Sequence, residues 1–451
     1  MKLSGKKDTM VLFLGDIVLF YVTLWLALLI RYSSLPSWDI LSIHLLPFSV
    51  VFVVWLVVFL IAGLYEKHTV FLKRKLPSII LNAVLVNILI AISFFYFIPA
   101  FGITPKTNLF IYLIVYLALI LLWRLYGFEM FRSGAKQNAI LVGYGEEIDE
   151  LLDEINNNNR YNLRFVSSID LDSFDSHDFY SKILNRIYTD NISVVAIDLH
   201  NPKVDPLLPH FYNLIFSNII FLDTHNVYED LFGRIPLSLV QHSWFLENIS
   251  LAPKIFYDLF KRTMDWIISF FLFFLSLIVY PFIALAIKIE DGGSVFYTNT
   301  VVGQNGKNFK IIKFRSMSVN KKDGVWIGED SVSRVTKVGE IIRKTRIDEL
   351  PQLINVIKGD LSLIGPRPEL PALVKEYEES VPYYNIRHLI KPGLSGWAQI
   401  NQHKVPHHGV GVEETKVKLS YDLFYIKNRS IFLDVKIALR TIQTILSRSG
   451  I

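Results

Sequence analysis

Four long apolar runs open the chain, residues 10–30, 45–64, 76–100 and 109–122, with short polar stretches between them. About 20 apolar residues span the hydrocarbon core of a bilayer, so each run reads as a membrane helix. The fourth reaches that length only with Asn108 and Trp123 added at its ends. The single charge inside the first run is Asp16, read as a hydrogen-bonded contact near a helix end rather than as part of a lipid or ion path. From residue 137 the pattern changes. NAILVGYG (138–145), SVVAIDL (193–199) and NIIFLD (218–223) are short, continuously apolar runs, and EEIDELLDEI (146–155) is an amphipathic helix. Strands buried on both faces look like this, and the alternation predicts a parallel, Rossmann-like α/β domain. A fifth apolar run covers residues 266–287 and is interrupted by Pro281. Beyond it, EDGGSVFY and VVGQNGKNFKIIKFRSM predict a strand, a glycine turn at Gly303 and Gly306, and a second strand. Near the end, Phe432, Val435, Leu439, Ile442 and Leu446 form one apolar stripe of a helix, suited either to lying on lipid or to packing on the core.

Charge orients these runs. Lys2, Lys6 and Lys7 precede the first, Lys67, Lys73, Arg74 and Lys75 follow the second, and Arg124, Arg132 and Lys136 follow the fourth, while the other two loops are poor in Lys and Arg. Both ends of a four-helix unit therefore face the cytoplasm. The first run is too long for a cleavable signal and lacks a small-residue cleavage site. The fifth run is basic on both flanks, with Lys254, Lys261 and Arg262 before it and Lys288, Lys307, Lys310 and Lys313 after it. With a proline to bend it, this predicts a re-entrant helix over residues 264–288 that enters and leaves by one membrane face. The expected domains are residues 1–132, 133–252 and 253–451.

Composition narrows the class. Of the 451 residues 52% are hydrophobic, and none is cysteine. This is too apolar for an ordinary soluble protein, and it excludes disulfides and thiolate metal sites. The net charge of +5, beside so much apolar sequence, favours lipid and phosphate partners over nucleic acid. In the middle domain Gly143 and Gly145 begin a dinucleotide fingerprint, but Ile148 holds its third glycine position, and Glu146 and Glu147 stand where a pyrophosphate would meet the helix. A structural or dimerising module is the expectation there.

Chemistry concentrates in residues 347–371, IDELPQLINVIKGDLSLIGPRPELP. Asp348 and Glu349 are adjacent carboxylates, flanked by Arg343, Lys344 and Arg346, with Arg367 set between Pro366 and Pro368. An acidic dyad with a rigidly mounted guanidinium suits phosphoryl chemistry. The plainer reading is two acids on a helix N-terminus beside a solvated basic face. Lys310, Lys313 and Arg315 are expected to share one face of a strand that grips a diphosphate. His403, His407 and His408, broken up by Pro406, read as a polar loop and not a metal site. Tyr257 and Lys261 match the Tyr-x-x-x-Lys spacing of nucleotide-sugar dehydratases, but no intact glycine fingerprint accompanies them, so the match is ascribed to chance.

KIIKFRSM (310–317), the dyad stretch, KPGLSGWAQIN (391–401) and YDLFYIKN (421–428) occur in the order seen in bacterial sugar transferases. Most of residues 263–451 resembles those that act as polyprenyl-phosphate glycosyl-1-phosphate transferases. The resemblance implies transfer of a sugar-1-phosphate from a UDP-sugar to polyprenyl (undecaprenyl) phosphate, with release of UMP, to prime a surface polysaccharide. It implies that Asp348 attacks the β-phosphorus, and that Glu349 serves Mg²⁺ (or Mn²⁺) and proton handling, with Asp348 as a second metal ligand. Lys313, Arg343 and Arg367 would hold the phosphates, joined by Arg315, Arg346 and Asp422. The family breaks its re-entrant helix at Ser-Pro, whereas Tyr280 precedes the proline here, so the serine's bond back to the helix is expected to be missing. It commonly carries a basic residue where this chain has Val301. The expected partners are a UDP-sugar, polyprenyl phosphate, membrane lipid and a second copy of the chain in a homodimer, with no nucleic acid. The expected location is the bacterial inner membrane, multi-pass, with the catalytic domain facing the cytoplasm. The rival reading is a membrane scaffold with a vestigial active site. Glucose, galactose and an N-acetylated amino sugar all remain open.

Overall fold

The computed structural model describes residues 5–62, 64–65, 76–97, 106–127, 136–158, 161, 163–170, 176–199, 201–214, 216, 219–249, 254–318, 335–402 and 411–446. The chain divides into two compact units, Met1–Val227 and Tyr228–Ile451. The basic residues at 2, 67–75 and 132, and the histidines 403, 407 and 408, lie outside the described residues.

The first unit begins with helices α1 (Gly5–Tyr32), α2 (Trp38–Ile61), α3 (Leu76–Phe97) and α4 (Lys106–Leu122). The spans Met10–Tyr32, Trp38–Ile61 and Ile80–Phe97 are long and apolar enough to cross a membrane, and Asn108–Leu122 is a shorter apolar helix. Helix α2 starts earlier than its apolar run, because Ser37 caps it by accepting a hydrogen bond from the amide of Ile40. Aromatic side chains fill the core between the helices, with Phe20 stacked on Phe52 and Tyr112 on Tyr116. Asp16 is completely buried there. It pairs with Arg124, accepts a bond from Tyr65 Oη at 2.7 Å, and so ties α1 to the π-turn Trp123–Gly127 that follows α4. Breaking a buried pair of this kind costs about 3–5 kcal/mol, because the surviving charge keeps its desolvation penalty.

After α4 the chain builds strand β1 (Gln137–Val142), α5 (Glu146–Asn157), β2 (Leu163–Ile169), α6 (Ser176–Thr189), β3 (Ile192–Ile197), α7 (Leu208–Leu214) and β4 (Ile220–Asp223). The strands pair in parallel in the order β2-β1-β3-β4, and Ile140, Val142, Val195 and Ile197 are buried. Gly143 has φ +147°, and a Cβ there would approach the Ile148 side chain at 3.1 Å, so the turn into α5 needs its glycine.

Helix α8 (Thr224–Phe232) leads into the second unit, which continues with α9 (His242–Asn248), α10 (Ile255–Ser276) and α11 (Tyr280–Asp291). Ile235, Val240, Trp244 and Phe245 pack with Tyr384, Leu423 and Ile437 in one core. Residues 228–249, assigned by sequence to the middle domain, thus fall in the second unit, and Ile235, Val240, Trp244 and Phe245 among them belong to its core. Helices α10 and α11 are bent by 57° at residues 277–279. Pro281 stands in the first turn of α11, where a missing amide costs nothing, rather than in mid-helix. Tyr280 holds the place before the proline, and a serine one turn earlier makes a bond of its own within the helix: Ser276 Oγ donates to Phe273 O at 2.6 Å.

Strands β5 (Phe296–Val302) and β6 (Asn308–Phe314) form the expected antiparallel hairpin. Helix α12 (Lys337–Lys344), a 3-10 turn (Ile347–Gln352) and α13 (Leu353–Lys358) follow, then β7 (Ser362–Ile364), α14 (Pro371–Ser380), a 3-10 turn (Tyr384–Leu389) and β8 (Gly393–Ser395) paired parallel to β7. Helices α15 (Trp397–Asn401), α16 (Val412–Asn428) and α17 (Ile431–Leu446) close the unit. Helix α10 is bolted to this framework. Arg262 donates to the carbonyls of Val356 and Ile357 at the end of α13, and Asp265 accepts from Ser362 Oγ at 2.7 Å. Tyr257 and Lys261 both donate to Asp434 in α17, so their spacing serves packing. Leu433 and Ile437 are the buried side of α17, while Phe432, Val435 and Ile442 face outward. The helix packs on the core with one side and presents Phe432, Val435 and Ile442 of the apolar stripe on the other.

Candidate active site

The dyad lies in the 3-10 turn Ile347–Gln352, against β6. Arg346 starts that turn with φ +57°, a left-handed conformation that costs a residue with a side chain about 1–2 kcal/mol. Asn355 in α13 accepts a bond from the amide of Ile312 and donates to the carbonyl of Lys310, which fixes the turn's helix to the edge of β6. From this frame Lys313 Nζ reaches Glu349 Oε1 at 3.1 Å, Arg367 Nη2 reaches the same oxygen at 2.8 Å, and Arg346 Nη1 stands 3.8 Å from it. Burial works to raise the Glu349 carboxyl, but Arg367, Lys313 and Arg346 outweigh it and hold the group well below the usual carboxylate range.

Asp348 behaves in the opposite way. It is 8% exposed, and among the described residues its buried Oδ1 has no hydrogen-bond partner. Burial and the neighbouring Glu349 charge push its carboxyl up to about 6, against the opposing pull of Lys313, Arg346 and Arg367. Two adjacent acids thus titrate far apart, one permanently charged and the other poised near neutrality, which is a frequent property of reactive groups. A buried carboxylate oxygen without a donor is costly unless something completes it.

Of the residues named from sequence, Asp348, Glu349, Lys313, Arg346 and Arg367 converge. The others do not. Arg343 is half-buried in the last turn of α12, and among the described residues no ion pair joins it to the dyad. Arg315 lies beyond the end of β6 with its guanidinium against Gly293, where a Cβ would collide with it. Lys310 is exposed and does not share a face with Lys313, because strand side chains alternate with period two and these positions differ by three. Val301 is buried, so it offers no phosphate contact. Asp422 stands behind the site rather than in it: it is 2% exposed and paired with Arg387 at 2.9 Å. Among the described residues no three His, Asp or Glu side chains gather around one point as a metal cage would need.

Sequence reasoning missed Arg387, Lys418, Glu369 and Asn355. One signal was available. Lys418 and Asp422 are four apart on the same face of α16 as Leu419, Leu423 and Ile426, and charged residues on an apolar face require partners.

The family described as bacterial sugar transferase matches residues 256–448. A UDP-glucose:undecaprenyl-phosphate glucose-1-phosphate transferase of Caulobacter vibrioides is 38% identical over 197 residues, which are 43% of this chain and 73% of that protein. The chain belongs to the bacterial sugar transferase family. It is a bacterial membrane protein with apolar N-terminal helices and a C-terminal α/β domain. A UDP-N-acetylgalactosamine-undecaprenyl-phosphate N-acetylgalactosaminephosphotransferase of Aeromonas hydrophila is 40% identical over 223 residues, 49% of this chain and 51% of that protein. A UDP-glucose:undecaprenyl-phosphate glucose-1-phosphate transferase of Escherichia coli is 39% identical over 185 residues, 41% of this chain and 39% of that protein. The chain thus matches about half the length of the Aeromonas transferase and less of the Escherichia coli one.

Proposed function

We propose that this sugar transferase moves a sugar-1-phosphate from a UDP-sugar to polyprenyl phosphate and releases UMP. The observation that carries the reading is the pair of unlike carboxylates, Asp348 with an unpartnered buried oxygen and Glu349 held by three cations. Asp348 attacks the β-phosphorus. A bond forms from its carboxylate oxygen to phosphorus, and the bond to the oxygen bridging the two phosphates breaks, so the electron pair leaves with UMP. A phosphate oxygen of the polyprenyl chain then attacks the same phosphorus and frees Asp348. Arg367 and Lys313 neutralise the phosphates so that an anion can approach an anion. Glu349 keeps those two cations gathered before substrate arrives.

The donor set fits a Mg²⁺ that takes most of its ligands from substrate and water. Such ions are usually held by one or two carboxylates together with phosphates. Asp348 Oδ1 has no partner among the described residues, and the three cations all meet Oε1 of Glu349, leaving Oε2 out of those contacts. Asp348 and Glu349 would hold the ion, which would supply further charge neutralisation at the phosphates.

The proposal includes a multi-pass N-terminal unit in the inner membrane, a Rossmann-like middle domain, a re-entrant α10–α11 pair and a cytoplasmic catalytic domain. The 57° bend and the outward Phe256, Leu259 and Phe271 of α10 support the re-entrant reading, and Phe432 and Val435 on α17 suit a lipid surface. A chain without cysteine allows a clean check. Thr263→Cys and Ser294→Cys should both stay unlabelled by an impermeant thiol reagent until the inner membrane is opened. Labelling of Ser294→Cys alone in intact cells would show a spanning segment instead.

The deciding experiment supplies UDP-glucose and UDP-N-acetylgalactosamine to the purified protein with polyprenyl phosphate and Mg²⁺. UMP should appear in step with lipid-linked sugar phosphate, and EDTA should stop it. Folded protein that releases no UMP from a wider panel of UDP-sugars would leave the scaffold reading standing.

A further inference from the structure

Behind Arg367 lies a second set of charges that the reaction does not use. Arg387, in the 3-10 turn Tyr384–Leu389, is 2% exposed. Its Nε donates to Asp422 Oδ2 at 3.1 Å, its Nη1 to Tyr384 Oη at 2.6 Å, and its Nη2 to the backbone carbonyl of Arg367 at 2.8 Å. The carbonyls on either side of Arg367 are held too. Pro366 accepts from the amide of Gly393 and Glu369 from that of Val302, both at 2.9 Å, while the Glu369 carboxylate pairs with Lys418.

Two prolines deprive this segment of amide donors, so its place depends on what grips its carbonyls. A buried ion pair is a weak source of stability, since apolar residues of similar volume often do as well. The planar guanidinium fork is nonetheless well suited to holding several acceptors in fixed directions.

We propose that Arg387 is a positioning residue for the transfer, setting the Arg367 backbone so that its guanidinium meets the dyad, with Asp422 and Tyr384 holding the fork in plane. This inference rests on the transferase reading above. Arg387 touches no reacting atom. Its effect passes through Arg367, and displacements of about 1 Å at such a distance from the chemistry can cost 10²-fold in rate.

A double-mutant cycle tests it on the full-length protein, with UDP as the probe and calorimetry as the readout. Arg387→Lys should weaken UDP binding about tenfold in the parent and no further in an Arg367→Ala background, because the group it would misplace is already gone. A merely structural role predicts the same loss in both backgrounds, and that result overturns the proposal. Should Arg387→Lys not fold, Tyr384→Phe keeps the ion pair whole and takes its place, with an expected loss of about threefold that again vanishes without the Arg367 side chain. Parent-like binding by Tyr384→Phe in that case also overturns the proposal. A parent that neither binds UDP nor releases UMP removes the function itself, and the inference with it. A parent that does both, with additive effects in the cycle, removes the positioning role alone.

Discussion

The C-terminal unit contains two charged clusters joined at Arg367, and they are built on different rules. The rear cluster is balanced: Glu369 and Asp422 face Lys418 and Arg387, one acid to one base, and Asp422 and Arg387 are each 2% exposed. The front cluster is not. Glu349 and Asp348 face Lys313, Arg346 and Arg367, the three cations crowd one oxygen of Glu349, and Asp348 keeps a buried oxygen with no partner. A balanced cluster is finished and serves as scaffold. An unbalanced one, with one base in excess, is ready for an anion. The physical distinction is between charges that satisfy each other and charges arranged for a group that has yet to arrive.

Substitutions can break that contrast, and the largest effect is expected at the front. Asp348→Asn should lower UMP release by about 10³-fold or more with its melting temperature unchanged or raised, since it removes both the nucleophile and an unsatisfied buried charge. Near-parent turnover would end the nucleophile assignment. Arg367→Lys comes next, with a loss of about 10²-fold, because an ammonium keeps the charge but not the fork. A Lys variant at parental rate would show that the cluster supplies charge alone.

The third expectation concerns pH. The Asp348 carboxyl, pushed up to about 6 by burial and by Glu349, must be ionised to attack. Its protonation removes the nucleophile, so kcat/KM should fall about tenfold per unit as pH drops below about 6 and level off above it. A limb centred near 4, the ordinary aspartate value, would show that the site does not perturb the group. The smallest effect on turnover belongs to the rear. Asp422→Asn leaves Arg387 buried without its counter-charge, at about 3–5 kcal/mol of stability, so melting should fall by several degrees. Turnover of the protein that stays folded should remain within about tenfold of the parent. An Asp422 variant as inactive as Asp348→Asn, yet stable, would place Asp422 at the front after all.

Much of the molecule was legible in one dimension. Apolar runs of bilayer length predict α1 to α3, because that length is imposed by the solvent and not by neighbouring helices, and a shorter apolar run predicts α4. The continuous apolar strands of the middle domain predict a parallel sheet for a similar reason, since burial on both faces leaves no alternation. Asp348, Glu349 and Arg367 stand out because their chemistry and the flanking prolines are local. Strand parity was there to be read as well, but the expectation of one shared face for Lys310 and Lys313 ran against it, since positions three apart on a strand point to opposite faces.

What only the tertiary structure decided is which charges meet. Glu349, Lys313 and Arg367 come from three segments, and nothing in their spacing shows that both cations converge on one oxygen. Asp422 and Arg387 are 35 positions apart, and Asp434 binds Tyr257 and Lys261 from more than 170 positions away. Ile235, Val240, Trp244 and Phe245 join the C-terminal core, and nothing local to their segment marks where those side chains would be buried. Periodicity reports how a segment meets its solvent. The partner of a buried charge depends on the path of the whole chain, and that is set by packing the rest of the core.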